Sequence, residues 1–212
     1  NPVGQAMTDE EMHAIVETAH SLGRRVIADG HHAAGIEAAI RAGVDSVDSI
    51  HFATADTLEL IKKSGTYMQS HIYAMVAAVG DTRETVHEGI VWWHPTYVLE
   101  RLFDIKMKPF VLQRAYRAGI RKIAFASDVG NFPHGDNARD FIEYVKRGLP
   151  PMFAIQTATV NAAEAIGRSD SLGSIEVGKI ADVIATENSP LQDISELTRV
   201  SFVMREGLVY LN

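Results

Sequence analysis

The sequence predicts an α/β protein: helices alternating with a parallel sheet, followed by a small β appendage. Two observations predict it. A helical stretch closed by Gly and followed by a short β-branched strand recurs four times, as AHSLG-RRVIAD, AIRAG-VDSVDSI, IKKSG-TYMQSHI and AYRAG-IRKIAFASD, with the glycines at 23, 43, 65 and 119. After Gly167 this texture stops and short alternating strands replace it. Gly closes a helix because it takes the left-handed conformation without Cβ strain. Repetition of helix, Gly and strand means βα units and parallel strands. A doubly wound sheet and part of a (β/α)8 barrel both fit that pattern.

The elements follow in order. Thr8-Asp9-Glu10-Glu11 forms a capping box opening a helix that runs to Leu22. Three strands end near Asp29, Asp48 and Ser70. Residues 74–110 form a long excursion containing VWWHPTYVLERLF, with a helix expected from Tyr97 to Ile105. Excursions of this length in α/β enzymes are usually lids or specificity elements. Trp92 and Trp93 read as a substrate wall or, the favoured reading, as residues packing the excursion onto the body. The fourth strand, Ile123 to Ala126, runs into Ser127-Asp128 and a Pro/Gly loop. Asp136-Asn137 are expected to open the helix ending at Gly148, and Pro150-Pro151 one continuous helix to Gly167. The domain division is residues 1–167 and the appendage 168–212, with turns at Glu176–Gly178, Asn188–Pro190 and Glu206–Gly207.

Composition narrows the function classes. The chain has 212 residues, 46% hydrophobic and 22% charged, enough for one sizeable core. A formal charge of −7 without a Lys/Arg cluster argues against nucleic acid as a partner. There is no Cys, which removes disulfides and thiolate zinc sites. No apolar run approaches the roughly 20 residues of a membrane helix. The polar, acidic start NPVGQAMTDEEM does not read as a signal peptide; the compartment stays undecided, with a soluble, cytoplasmic protein the favoured expectation. It lacks an initial Met, as expected of a processed, trimmed or partial chain.

Parallel α/β proteins place their active sites at the C-terminal strand ends. Here those ends carry Asp29-Gly30-His31-His32, Asp48-Ser49-Ile50-His51, Gln69-Ser70-His71 and Ser127-Asp128. Asp128 stands out because its strand is otherwise wholly apolar, and an unpaired buried carboxylate is costly. His134 lies in the loop beyond it. His13 and His20 read as surface or packing residues of the first helix, while His87 and His94 fall in the excursion with no clear partner.

The blocks AAGIEAAIRAGVDSV (33–47), KKSGTYM (62–68), FASDVGNFPHGDNARDF (125–141), AIQTATVNAAEAIG (154–167) and LGSIEVGKIADVIA (172–185) together resemble the C-terminal half of the amidohydrolase superfamily. The branch they resemble holds the imidazolonepropionase-like enzymes and Xaa-Pro dipeptidases. The resemblance implies strands 5–8 of a (β/α)8 barrel plus strands of a small β-sandwich. It implies a metal-dependent hydrolase of amide C–N bonds, acting on a dipeptide or N-acyl amino acid. It also implies one or two divalent metals, commonly Zn²⁺, with Asp128 touching metal and taking the proton of the attacking water.

Two family ligand positions depart from the pattern: Asp29 stands at the fifth-strand His and Ser49 at the sixth-strand His, and no His-x-His occurs. Three readings follow: a segment or degenerate copy with a weakened or lost metal site, a displaced centre of Asp29, His31, His51 and Asp128, or a scaffold used for binding or metal-free chemistry. The expected assignments are Asp128 and His31 in catalysis, His134, His71 and Tyr73 against substrate, and Asp128, Asp29 and His51 on metal. An isolated half-barrel would expose strand edges, so a partner half or self-association is expected to complete it.

Overall fold

The computed structural model describes residues 5–74, 76–77, 111–130 and 132–212. The excursion beyond residue 77, with Trp92, Trp93 and the Tyr97–Ile105 helix, therefore lies outside the described residues.

Helix α1 (Asp9–Ser21) begins with the reciprocal cap expected from its sequence. The Thr8 hydroxyl accepts the Glu11 N–H at 3.2 Å, and the Glu11 carboxylate accepts the Thr8 N–H at 2.8 Å. Strand β1 (Ile27–Asp29) follows, then α2 (Ala33–Ala42), β2 (Ser46–Asp48), α3 (Ala55–Ser64), β3 (Tyr67–Ser70), α4 (Val111–Arg117) and β4 (Ile123–Phe125). Helices α2 and α3 stop at Gly43 and Gly65, with φ of 93° and 71°. A residue with a Cβ would spend about 1–2 kcal/mol to adopt that backbone.

The four strands pair in parallel in chain order, with Ile27 opposite Ser46, Val47 opposite Met68 and Ser70 opposite Phe125. Among the described strands the order never reverses, as it does in a doubly wound sheet. Ile36, Ile40, Val47, Leu58, Ile61, Met68, Ile72, Leu112, Ile123 and Tyr144 form the buried core between sheet and helices. The outer strand β1 keeps Ile27 55% exposed.

At the other edge, Asn161 covers β4. Its side-chain amide donates to the carbonyls of Arg121 (3.0 Å) and Ile123 (2.9 Å), while the intervening Lys122 carbonyl takes the Met68 N–H. A side chain thus answers part of the edge that a further strand would otherwise answer. Asn161→Ala is expected to cost about 1–3 kcal/mol through those two acceptors, read as a lower urea midpoint at unchanged slope.

Two helix expectations are corrected. Asp136-Asn137 do not cap α5 (Arg139–Lys146); residues Asp136–Ala138 form a 3-10 turn. Their side chains are engaged elsewhere, Asn137 donating to the Ser127 hydroxyl at 2.9 Å and Asp136 pairing with Arg139 at 3.2 Å. The helix after Pro150 breaks at Thr159 (φ −118°, ψ −98°) into α6 (Pro151–Ala158) and α7 (Val160–Ala165). Thr157 and Thr159 turn their hydroxyls back onto the Ala154 and Ile155 carbonyls, a habit that bends helices.

The appendage is an antiparallel sheet of β5 (Val183–Thr186), β6 (Val200–Arg205) and β7 (Leu208–Leu211). A 3-10 turn at Ile194–Thr198 precedes β6, and the last hairpin turns at Glu206-Gly207, both with positive φ. No helix among the described residues is long and apolar enough to cross a membrane.

Candidate active site

Because the strands are parallel, the loops after them emerge at one end of the sheet, and the sequence loads those loops with His and Asp. The first two loops are stitched together. Gly30 N–H donates to the Asp48 carbonyl at 3.1 Å, and Phe52 N–H to the His31 carbonyl at 3.0 Å. His32 stacks on Phe52 with ring centres 4.8 Å apart. A Cβ at residue 30 would meet Ile36 Cγ1 at 3.0 Å, so Gly suits this close approach.

The stitching sets His31 beside His51, ring centres 5.5 Å apart, and His51 stands edge-on to His71 at 5.0 Å. His71 is buried and lies between two carboxylates. Its Nδ1 is 3.7 Å from Asp48 Oδ1 and its Nε2 is 3.5 Å from Asp128 Oδ2. The result is a row of three imidazoles with Asp128 beside the third and Asp48 on its opposite nitrogen. Burial pushes the Asp48 carboxyl upward, but His71 and the Ser49 N–H (2.7 Å) outweigh it and hold the acid below its usual range. Asp128 keeps 43% of its side chain exposed, so its oxygens reach solvent.

Two residues of this region have left-handed backbones without being glycine: Ser49 (φ 68°) and Asp128 (φ 50°). Such conformations cost on the order of 1–3 kcal/mol when the surrounding structure imposes them, and they gather at functional sites.

The expected site residues separate into those brought together and those left apart. His31, His51, His71 and Asp128 share the row. Asp29 touches only its outer end, 3.9 Å from His31 with its side chain 70% exposed. Among the described residues no group of three His, Cys, Asp or Glu could hold a metal ion. Ser49 is buried. His71, expected to touch substrate, is buried with a carboxylate beside each ring nitrogen. Tyr73 packs edge-on against Phe132 at 4.8 Å, with the Arg139 guanidinium 5.6 Å from its ring centre. His134 is exposed in its loop, outside the row.

Sequence reasoning missed Asp48 as a partner of His71, although it stands at a strand end. It also missed Asp140 and Tyr144. Asp140 is fully buried and accepts the backbone N–H groups of Ile72 (2.8 Å) and Tyr73 (2.7 Å). Tyr144 donates its hydroxyl to the Ser70 carbonyl at 2.6 Å. Nothing local marks these contacts, which span about 70 residues.

Comparison with known proteins fits this geometry. The Amidohydrolase family model matches residues 2–209. Ochratoxinase of Aspergillus niger is 33% identical over 216 residues, covering 99% of this chain and 43% of the relative. A Xaa-Pro dipeptidase crystal structure with bound methionine superposes with a TM-score of 0.81 at 35% identity, covering 97% of this chain and 49% of that one. The crystal structure of A. niger ochratoxinase gives 0.78 at 29% identity, covering 100% and 47%. The likeness to imidazolonepropionase of Symbiobacterium thermophilum is partial, 57% identity over 37 residues. The chain thus spans about half the length of these longer relatives. With an α/β fold matching that dipeptidase over 97% of its length and the family model spanning residues 2–209, the chain belongs to the amidohydrolase family.

Proposed function

We propose that this chain supplies the C-terminal half of an active site that hydrolyses amide C–N bonds in a dipeptide or N-acyl amino acid. The observation carrying the reading is Asp128, strained, solvent-reaching and 3.5 Å from a buried imidazole at the strand ends. Kinship with ochratoxinase and a Xaa-Pro dipeptidase supports the bond class.

Hydrolysis requires a base for the attacking water and an acid for the departing nitrogen. Asp128 accepts the water proton as oxygen bonds to the carbonyl carbon, and returns it to the amine as the C–N bond breaks. His71 holds the Asp128 carboxylate from its buried side, and Asp48 fixes the far nitrogen of that ring. His31, half-buried at the open end of the row, faces the substrate carbonyl. Tyr73 and His134 line the approach.

Family members generally use divalent metals. The residues here do not fit such a centre by themselves: Asp29 points outward, Ser49 offers a poor ligand, and no three donors converge among the described residues. Zinc would need ligands from outside this set.

The half-site reading implies a partner. Ile27 on β1 and Ile184, Leu208, Tyr210 and Leu211 on the appendage are exposed apolar residues, the kind of surface that an interface covers. A second half or a second copy completing the barrel would cover it. Size-exclusion chromatography should therefore show the isolated chain associated; a stable folded monomer contradicts this. Release of amine from N-acyl amino acids or Xaa-Pro dipeptides, lost in Asp128→Asn, is the expected activity. Tight ligand binding without turnover would instead mark a catalytically inactive relative serving as a binding module.

A further inference from the structure

Helix α5 reaches the row from behind. Asp140 and Tyr144 lie one turn apart on its buried face, and residues four apart on a helix share a side. Both are fully buried. Asp140 accepts the N–H groups of Ile72 and Tyr73, and Tyr144 donates to the Ser70 carbonyl. The three backbone contacts bracket residue 71 on both sides. Ile72 and Tyr73 open a helical turn, whose first N–H groups have no partner within it. A side chain nearly 70 positions away supplies the missing acceptor.

We propose that Asp140 and Tyr144 are positioning residues that aim the His71 imidazole between Asp48 and Asp128. The proposal rests on the reading of that row as an active site only for its kinetic consequence; the placement of the ring is a separate matter. With one bracket removed, the 70–73 backbone is free to rotate. A ring already 3.5–3.7 Å from its two carboxylates has little distance to lose. Outright hydrogen bonding ends near 3.2 Å and weakens steeply with misalignment.

The test uses Asp140→Ala, Asp140→Asn and Tyr144→Phe, with two readouts. The first is the imidazole ¹⁵N and ¹H resonances of His71, assigned by loss in His71→Gln, with those of His20 as a distant control. Asp140→Ala and Tyr144→Phe should move the His71 signals and leave His20 in place. Asp140→Asn, which keeps an acceptor for both N–H groups, should restore them. The second is amide hydrolysis: kcat should fall about 10- to 100-fold with KM within about threefold, and Asp140→Asn should recover most of kcat. If Asp140→Ala does not fold, Tyr144→Phe carries the decision alone.

Unmoved His71 signals in a folded Tyr144→Phe variant overturn the proposal. So does a uniform shift of every histidine, which marks general loosening. If wild-type protein hydrolyses nothing, the resonance arm still decides the placement of His71, and only the hydrolase reading falls.

Discussion

Asp128→Asn should reduce amide hydrolysis by about 10²–10⁴-fold, the range of a positioned acid–base group, while leaving the fold intact. The substitution is clean for a conformational reason. Position 128 has φ 50°, a region that Asn and Asp enter far more readily than other residues with a Cβ. The amide matches the carboxylate in shape, so the backbone of the β4 loop keeps its path. What disappears is the ability to take a proton from water and the negative charge facing His71 Nε2. Steady-state kinetics should show kcat falling with KM little changed, and thermal unfolding should stay within about 0.5 kcal/mol, as for substitutions that create no buried defect. A variant as active as wild type would remove Asp128 from the chemistry.

Asp140→Ala should be the most destabilising single change near the site, by about 2–5 kcal/mol, because it strips the acceptor from two N–H groups in a buried position. The carboxyl carries a second consequence. Burial pushes Asp140 up to about 7, although the Tyr73 and Ile72 N–H groups oppose the shift. The ordinary value is near 3.9. Between about pH 4 and pH 7 the folded protein therefore holds a proton that the unfolded chain has released. Stability must fall as pH rises through that window, and level off above it.

Asp48 and Asp45 act in the opposite sense. Burial raises both, but His71 and the Ser49 N–H for Asp48, and His20 and the Val26 N–H for Asp45, outweigh it and hold each below its usual range. Their contribution is present above the ordinary carboxylate value and is lost as pH falls beneath it. Urea unfolding from pH 3 to 9 should trace a maximum on the acid side of neutrality. Asp140→Asn should flatten the decline between about pH 4 and pH 7 without touching the acid limb below it. An unchanged slope through that window in the variant would place the titrating group elsewhere.

What could be read from the sequence was local. The capping box at Thr8, the glycines ending α2 and α3, and the apolar strand feeding Asp128 each announce themselves within a few residues. Parallel pairing then carries the strand ends to one side, so His31, His51, His71 and Asp128 could be placed at one mouth.

Register and long-range contact could not be read. Whether Asp48 meets His71 depends on how β2 and β3 slide against each other and on the Ser49 backbone turn. The grip of Asp140 and Tyr144 on residues 70–73 joins segments about 70 positions apart. The break at Thr159 comes from hydroxyls competing for helix carbonyls, where the apolar pattern alone reads as one helix. Among the described residues no three donors form a metal-holding group, a matter of side-chain placement across several strands that strand-end positions alone do not carry.

The most direct measurement is hydrolysis in ¹⁸O-water by the associated protein, with an N-acyl amino acid or Xaa-Pro dipeptide as substrate. The account predicts free amine accumulating with turnover, one ¹⁸O atom in each newly formed carboxylate, and neither signal above background in Asp128→Asn. Substrate recovered whole and unlabelled, or equal labelling by the Asn variant, would contradict it.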